Sequence, residues 1–143
     1  MRVALADGLR ARLLAAAAAA YPGECCGLLE GERGADMFRI HALHPARNLS
    51  GDVTRFAIDP HDQFAAQKTA RAQGRAIVGC YHSHPRGRAQ PSAADLAGAG
   101  EENFLWLIAA DAALAAFVYS GGRFVECTGA DWVTSSPPSR TWK

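Results

Sequence analysis

Two histidines separated by one residue, His82 and His84, are followed by a turn and then by an acid, Asp95. Side chains at positions i and i+2 of a strand point to the same face, so the two imidazoles would project side by side, with Cα atoms about 7 Å apart. That separation lets both rings reach one ion. A catalytic zinc ion takes three protein ligands and leaves its fourth position to water. The pair therefore predicts a divalent metal site, and zinc is favoured because imidazole with one carboxylate suits it.

Asp95 is the natural third ligand because it stands at the start of a predicted helix. Ser92 and Asp95 have the spacing of a capping box, with Ser92 at the N-cap and the acid at N3. An aspartate on the first helical turn can reach back to the preceding strand, and the seven-residue turn 85–91 permits this. Taken singly, a strand histidine is more often structural and Ser-x-x-Asp more often only a cap. Their combination favours a metal site.

Hydrolysis at such a site also needs a group that takes a proton from water and returns it to the leaving amine. Glu24 is the candidate, at the junction of the first predicted helix and the first predicted strand. Sequence distance does not exclude it, because an edge strand can bring it beside the metal, although a lone glutamate before a strand is usually a solvated surface residue. The remaining histidines have no such neighbours and are expected at the surface or in loops: His41, His44 and His61.

The elements that must position these residues follow from periodicity and from helix and strand breakers. Helices are predicted over residues 6–20, 61–73 and 92–102, and strands over 25–31, 37–43, 55–59, 76–84, 104–110, 114–120 and 123–129. This order indicates a single α/β domain, residues 1–130, with a mixed sheet and helices on its faces. Residues 131–143 are expected to be a loosely ordered tail.

The composition is that of an ordinary globular protein, with 143 residues of which 49% are hydrophobic and 20% charged. A net charge of +1 gives no general attraction to nucleic acid or to an anionic membrane, so neither partner is indicated. Arg86 and Arg88 are best explained as solvated loop charges. No stretch approaches the length of a transmembrane helix, and the alanine-rich run at 11–23 favours the first helix of a cytoplasmic protein over a cleaved signal.

Four cysteines show neither C-x-x-C spacing nor the density of a disulfide scaffold: Cys25, Cys26, Cys80 and Cys127. Buried, reduced thiols are expected, which suits a reducing cytoplasm. Cys80 is close in sequence to the two histidines, but imidazole, carboxylate and water already complete a zinc set. It is therefore predicted to be a core residue.

Two segments carry a resemblance to a known family. YPGECCGLLEG (21–31) and GCYHSHPRGRAQPSAAD (79–95) closely resemble the JAMM metalloproteases, also described as MPN-positive or Mov34/PAD-1-like. Their signature is a distant glutamate, then H-S-H-P, with seven residues between the second histidine and S-x-x-D. The loop and strand NLSGDVTRFAIDP (48–60) and the helix after it are also similar to this family. The resemblance spans about residues 1–128, nearly the whole chain.

The resemblance implies a role for each matching residue. Zinc would be bound by His82, His84 and Asp95. Glu24 would be the general acid and base. The Ser92 hydroxyl would donate a hydrogen bond to the oxyanion of the tetrahedral intermediate, a role that competes with simple helix capping.

The resemblance also implies a fold similar to the curved, cytidine-deaminase-like sandwich of JAMM/MPN domains. Ser83 would help to hold the ligands in place without binding the metal itself. A deaminase would need a C-x-x-C pair, which this sequence lacks. The expected chemistry is therefore peptide or isopeptide hydrolysis and not deamination.

Members of this family cut amide or isopeptide bonds after the C-terminal glycines of ubiquitin-like proteins. The extended tail of such a partner would lie along a groove edge, paired with a strand. The chain is short after Asp95 and resembles the compact prokaryotic form, whose partners are ubiquitin-like sulfur-carrier proteins. One such role is the release of an amino acid, cysteine for example, assembled on the C-terminus of the carrier.

Three alternatives remain open at this point. The first is a binding module that kept the fold and lost the chemistry, although such members typically lack metal ligands that this sequence has. The second is a DNA-repair-associated branch, which usually reads H-N-H-P where this chain has Ser83 and also carries a helix-hairpin-helix segment. The third is a phage-tail peptidase, which usually comes fused to a second peptidase domain.

Overall fold

The described part of the chain, residues 1–51 and 56–133 of the computed structural model, is built on one sheet. Its strands are β1 (Arg2–Leu5), β2 (Cys26–Arg33), β3 (Met37–Ala46), β4 (Ala76–Ser83), β5 (Phe104–Ala110), β6 (Ala113–Ser120), β7 (Arg123–Cys127) and β8 (Trp132–Val133). The helices of this part are α1 (Leu9–Ala20), α2 (Pro60–Ala72) and α3 (Ala93–Gly98), with a 3-10 turn at Gly129–Asp131.

The sheet is mixed, in the strand order β7-β6-β5-β4-β2-β3-β1-β8. Neighbours joined by short turns run antiparallel, as β2–β3 and β5–β6 do. β4 and β5 run parallel, as a crossover through α3 requires. β2 also pairs antiparallel with β4, so the strand that follows Glu24 and the strand that carries His82 are neighbours.

The central strands are buried on both faces of the sheet. On β2, Leu29 packs in one cluster with Leu13 of α1, whereas the preceding residue, Leu28, packs in a second cluster with Ala66 of α2. Trp106 of β5 belongs to the α2 side as well. Two-sided burial explains why these strands are continuous apolar runs and do not alternate with polar residues. The predicted α/β domain with a mixed sheet flanked by helices is confirmed.

Two glycines let the central strands approach each other closely. A Cβ on Gly27 would lie 2.3 Å from the ring of Tyr81, which stands opposite it across β2 and β4. A Cβ on Gly79 would lie 2.3 Å from the backbone carbonyl oxygen of Leu105. A side chain at position 79 would push β4 away from β5, and one at position 27 would displace the Tyr81 ring.

The N-terminal segment differs from the predicted helix over 6–20. Arg2–Leu5 forms β1, and α1 begins only at Leu9, after Gly8 in a left-handed conformation with φ of 82°. Gly8 adopts this conformation without the clash that a Cβ would cause, which makes it a suitable break between the two elements. β1 was not predicted because its four residues are too short to show a period, and its partners β3 and β8 are distant in sequence.

Two further elements differ from their predicted bounds. The strand predicted over 55–59 lies partly outside the described residues, and within 56–59 the described pairing is a single bridge between Ile58 and Asn48. The helix predicted over 92–102 ends at Gly98. Gly98 and Gly100 explain the early end, since glycine in a helix interior costs about 1 kcal/mol relative to alanine.

The segment expected to be a loose tail contributes to the sheet. Trp132 and Val133 form β8, which pairs parallel with β1 at the edge of the sheet. The guanidinium of Arg10 lies 5.8 Å from the centre of a Trp132 ring, which adds a contact to α1. The rest of the predicted tail, residues 134–143, lies outside the described residues.

All four cysteines carry free thiols, and each except the half-buried Cys25 is buried, including Cys80 in the core as predicted. Across the described ranges 1–51 and 56–133, the helices are too short or too polar to cross a membrane.

His44 was predicted to lie at the surface or in a loop, but the structure places it on β3. There it belongs to an ion network around the buried Glu30. Its Nε2 donates to Oε1 of Glu30 at 2.7 Å, and Nε of Arg75 donates to Oε2 of the same carboxylate at 2.7 Å. Glu30 is 2% exposed. Burial raises the pKa of Glu30, but the two hydrogen bonds lower it more, so the pKa lies below its ordinary 4.5. His41 also lies on β3, while His61 is exposed on α2.

Candidate metal centre and catalytic residues

The two histidines lie where β4 ends and the chain turns away from the sheet. His82 is in β4 and fully buried, and His84 follows the last residue of the strand. Their rings face the same side, with centroids 4.8 Å apart, and the two Nε2 atoms are 3.0 Å apart. The arrangement follows from the two-residue period of a strand.

Asp95 approaches the same point from the first turn of α3. The Ser92 hydroxyl accepts a hydrogen bond from the Asp95 N–H at 3.0 Å, and the Asp95 carboxylate accepts one from the Ser92 N–H at 2.9 Å. This reciprocal capping box fixes the aspartate side chain. Its oxygens lie 3.1 Å from Nε2 of His82 and 3.2 Å from Nε2 of His84.

The three converging donors fit a zinc ion by distance and by chemistry. Ligand atoms bound tetrahedrally at 2.0–2.1 Å from a metal are about 3.3 Å from one another. The mutual distances of 3.0, 3.1 and 3.2 Å are close to that value. Nδ1 of His84 donates to the Arg88 carbonyl oxygen at 2.8 Å, so its Nε2 carries the lone pair that a metal needs.

The local electrostatics favour a neutral His82 and an ionised Asp95, the states of metal ligands, but favour the protonated form of His84. Burial lowers the pKa of His82, because charge is costly away from water. Burial raises the pKa of Asp95, but the close contacts with His82 and His84 lower it more, and the pKa ends well below its ordinary value. Burial lowers the pKa of His84, while its contacts with Asp95 and the Arg88 carbonyl raise it by more. A carboxylate beside neutral imidazole is the state that binds zinc.

Glu24 reaches the site through the pairing of β2 with β4. Cys26 stands opposite His82, so the same antiparallel register brings Glu24 opposite His84, on one face of the sheet. The Ser83 hydroxyl accepts a hydrogen bond from the Cys25 N–H at 2.9 Å and extends this pairing beyond the strand. Glu24 is 6% exposed, and one of its carboxylate oxygens lies within 4.8 Å of ligand nitrogens of both histidines.

Two cavities border the three donors. The Asp95-side groove has a volume of about 670 Å³, and its lining includes Phe56, Ile58, Phe104 and Trp106 beside Asp95. The Glu24-side pocket has a volume of about 400 Å³ and is lined by residues of the turn 85–91 together with Glu24, His84 and Ser92.

Sequence reasoning did not identify two aromatic residues at the site. The Phe56 ring is stacked on His82 with centroids 4.2 Å apart, and the Trp106 ring meets His82 edge-on at 5.7 Å. The parallel pairing of β4 with β5 could have pointed to Trp106, which stands opposite Cys80. Nothing in the sequence pointed to Phe56, because its contact depends on how the segment before α2 folds back.

The mixed sheet, the helices on both faces and the H-S-H/S-x-x-D site are the combination that defines a JAB/MPN-type hydrolase domain. A sequence model described as prokaryotic homologs of the JAB domain matches residues 6–124. The chain belongs to this family of prokaryotic JAB-domain proteins.

Three relatives match the chain, and the two that are named as a desampylase and a protease support the enzyme class. A desampylase of Haloferax volcanii is 30% identical over 131 residues, which cover 87% of this chain and 93% of that protein. The tail tip assembly protein K of Escherichia phage N15 is 38% identical over 86 residues, but these cover only 31% of that protein. A probable TtuB-protein conjugate cleaving protease of Thermus thermophilus is 32% identical over 93 residues, which cover 64% of this chain and 57% of that protein. The predicted JAMM-type hydrolase class is confirmed.

A solved structure of another protein matches the fold of this chain over nearly its whole length. The solution structure of a protein from Desulfitobacterium hafniense superposes with a TM-score of 0.85 at 28% sequence identity. The match covers 99% of this chain and 98% of that one.

Proposed function

We propose that this protein is a zinc-dependent peptidase that hydrolyses the bond after the C-terminal Gly-Gly of a ubiquitin-like sulfur-carrier protein in the cytoplasm. The observation that carries the proposal is the convergence of two imidazoles and one carboxylate at 3.0–3.2 Å, with the Glu24 carboxylate beside them. The Thermus relative, named for cleaving TtuB–protein conjugates, supports the choice of a protein conjugate as substrate. The free thiols suit a reducing compartment.

His82, His84 and Asp95 are the proposed zinc ligands. When bound there, zinc would polarise the scissile carbonyl and make water more acidic. The residues of the chain do the rest: they orient the substrate, move the proton and hold the charge that develops.

Glu24 is the proposed proton shuttle. Its buried carboxylate would accept the proton of the attacking water and then deliver it to the leaving nitrogen as the C–N bond breaks. The distance of up to 4.8 Å from the histidine nitrogens leaves room for one water molecule between Glu24 and the ligands. The Ser83–Cys25 hydrogen bond would keep the carboxylate at this distance.

Ser92 is the proposed donor to the oxyanion of the tetrahedral intermediate. Its oxygen accepts the hydrogen bond of the Asp95 N–H, which leaves the hydroxyl hydrogen to donate elsewhere. Ser92 lines the Glu24-side pocket, next to His84, where the carbonyl of a bound substrate would come. Capping and oxyanion binding are therefore compatible in one hydroxyl.

The position of the acid decides the direction in which a substrate would lie. The group that protonates the leaving nitrogen must be within hydrogen-bond reach of it. Glu24 lines the Glu24-side pocket, so that pocket would take the leaving group, and the Asp95-side groove would take the carrier tail. Glycine residues in the tail would let its backbone approach the ligands closely.

Cleavage of a defined carrier tests the function. A small ubiquitin-like carrier extended by a few residues beyond Gly-Gly is incubated with the enzyme, and the products are identified by mass spectrometry. We expect one cut, after Gly-Gly, that stops with a zinc chelator and returns with added zinc. Equal cutting of casein, or cutting that ignores the chelator, would contradict the proposal.

A further inference from the structure

The two histidines of the metal centre are held in different ways. A zinc-ligating histidine is usually oriented by a hydrogen bond from its other ring nitrogen. His84 has such a bond, from Nδ1 to the Arg88 carbonyl oxygen at 2.8 Å. Nδ1 of His82 is also buried, but within the described residues it has no hydrogen-bond partner. Within the described residues, ring contacts and not a hydrogen bond from Nδ1 surround the His82 ring.

Two aromatic rings enclose His82 instead. Phe56 is stacked on it, with centroids 4.2 Å apart and planes at 22°, and Trp106 meets it edge-on at 5.7 Å and 86°. Phe56 and Trp106 also contact each other edge-on, with centroids 6.0 Å apart. Trp106 is anchored in β5 and backed by Phe124 at 5.0 Å. Phe56 precedes α2 and lies outside the regular elements.

Phe56 has a second contact surface. It is half-buried, and it lines the Asp95-side groove together with Trp106. A peptide in that groove would pack against the Phe56 ring and press it onto His82. The same ring thus connects the proposed substrate groove to a proposed zinc ligand.

We propose that Phe56 is a positioning residue that holds His82 in its ligating orientation and couples occupancy of the Asp95-side groove to zinc retention. The inference depends on the proposed zinc site. Because coupling between two ligands is reciprocal, a peptide that slows zinc release must also bind more tightly when zinc is present.

The first experiment measures zinc release and not turnover. Zinc-loaded protein is mixed with excess colorimetric chelator, and the release rate and the zinc affinity are compared between wild type and Phe56→Leu. Loss of a residue that orients a metal ligand weakens zinc binding about 10–100-fold, and we expect the lower end of this range because Trp106 remains. The matched control is Phe104→Leu, the same substitution in the same groove, which should leave zinc release within about twofold of wild type.

Cobalt substitution provides a readout that a merely structural role would not change. The visible bands of Co²⁺ report the geometry of its ligands, so Phe56→Leu should shift them and Phe104→Leu should not. Phe56→Tyr keeps the stacked ring and should restore both the bands and the release rate. If Phe56→Leu does not fold, Phe56→Met, of nearly the same volume but without a ring, takes its place.

The coupling is tested with a synthetic peptide that ends in Gly-Gly. At saturating concentration it should slow zinc release from wild type and from Phe104→Leu, but not from Phe56→Leu. Equal release from wild type and Phe56→Leu would overturn the positioning role, and no effect of the peptide on wild type would overturn the coupling. If wild type takes up no zinc at all, the proposed function fails, which is a separate result.

Discussion

The sharpest test of the mechanism compares the two acids that lie near the two histidines. Glu24 and Asp95 both place a carboxylate near Nε2 of His82 and His84, and either could be the third zinc ligand. The Asp95 oxygens are 3.1 and 3.2 Å from these nitrogens, which is ligand spacing. A Glu24 carboxylate oxygen lies within 4.8 Å of nitrogens of both histidines, so variants of the two acids must decide between them. Glu24→Gln and Asp95→Asn keep the shapes and remove one negative charge each.

The two variants should lose different properties: Glu24→Gln should lose turnover, and Asp95→Asn should lose zinc. Glu24→Gln cannot accept a proton, so kcat should fall by ~10²–10⁴-fold, or about 3–5 kcal/mol in the barrier, with zinc content unchanged. Because Glu24 is only 6% exposed, bulk water cannot easily replace it as the base. Asp95→Asn should instead lose zinc, and its activity should recover in part at high zinc concentration.

The assay combines cleavage of a Gly-Gly-extended carrier with elemental analysis of the same sample. Glu126→Gln is the control, since Glu126 is an exposed glutamate on β7, at the far edge of the sheet. It should behave as wild type in both measurements. Zinc loss in Glu24→Gln would mean that Glu24 is a ligand. Wild-type turnover in that variant with zinc in place would mean that Glu24 is only a surface residue, and the mechanism would be wrong at its centre.

Three other predictions concern single residues or the ion network. Ser92→Ala should keep its zinc and lose about 10²-fold in kcat, the scale of one oxyanion donor, and a loss of zinc on elemental analysis would instead show that capping of Asp95 is its main role. Glu30→Ala should destabilise the fold by about 3–5 kcal/mol in urea unfolding, because it leaves Arg75 without its buried carboxylate partner; a change below about 1 kcal/mol would contradict this. The pKa of Glu30 is lowered by folding from 4.5, so its contribution is fully present above that pH and is lost as the pH falls through the folded pKa. The difference in unfolding free energy between metal-free wild type and Glu30→Gln should therefore be constant near neutral pH and shrink below about pH 4.5, and an unchanged difference at acid pH would refute the linkage.

The parts of the site that are local in sequence were predictable, and the parts that depend on strand pairing were not. His82 and His84 share a face because of the strand period, and Asp95 is fixed by a capping box that spans the four residues 92–95. Glu24 is 58 residues from His82, and only the β2–β4 register brings it close, so the sequence supplied it through a family resemblance. Neither a local sequence pattern nor the family resemblance pointed to Phe56.

The same division applies to the fold. Long apolar runs predicted the central strands, because burial on both faces leaves a continuous signal. β1 and β8 were missed because they have four and two residues and derive their stability from partners far along the chain. α3 ends at Gly98 and not at residue 102, because Gly98 and Gly100 destabilise a longer helix.

The Asp95 carboxylate both closes the capping box of α3 and faces the two histidines, which affects how the site responds to loss of a metal. The carboxylate is oriented by the capping box of α3 whether or not a metal is bound, and His84 is oriented by the Arg88 carbonyl. Folding therefore already orders these ligand side chains, so metal binding loses less conformational entropy than it would with mobile ligands. A scaffold of this kind need not unfold when it loses the proposed ion, so removal of metal should abolish activity while most of the fold remains.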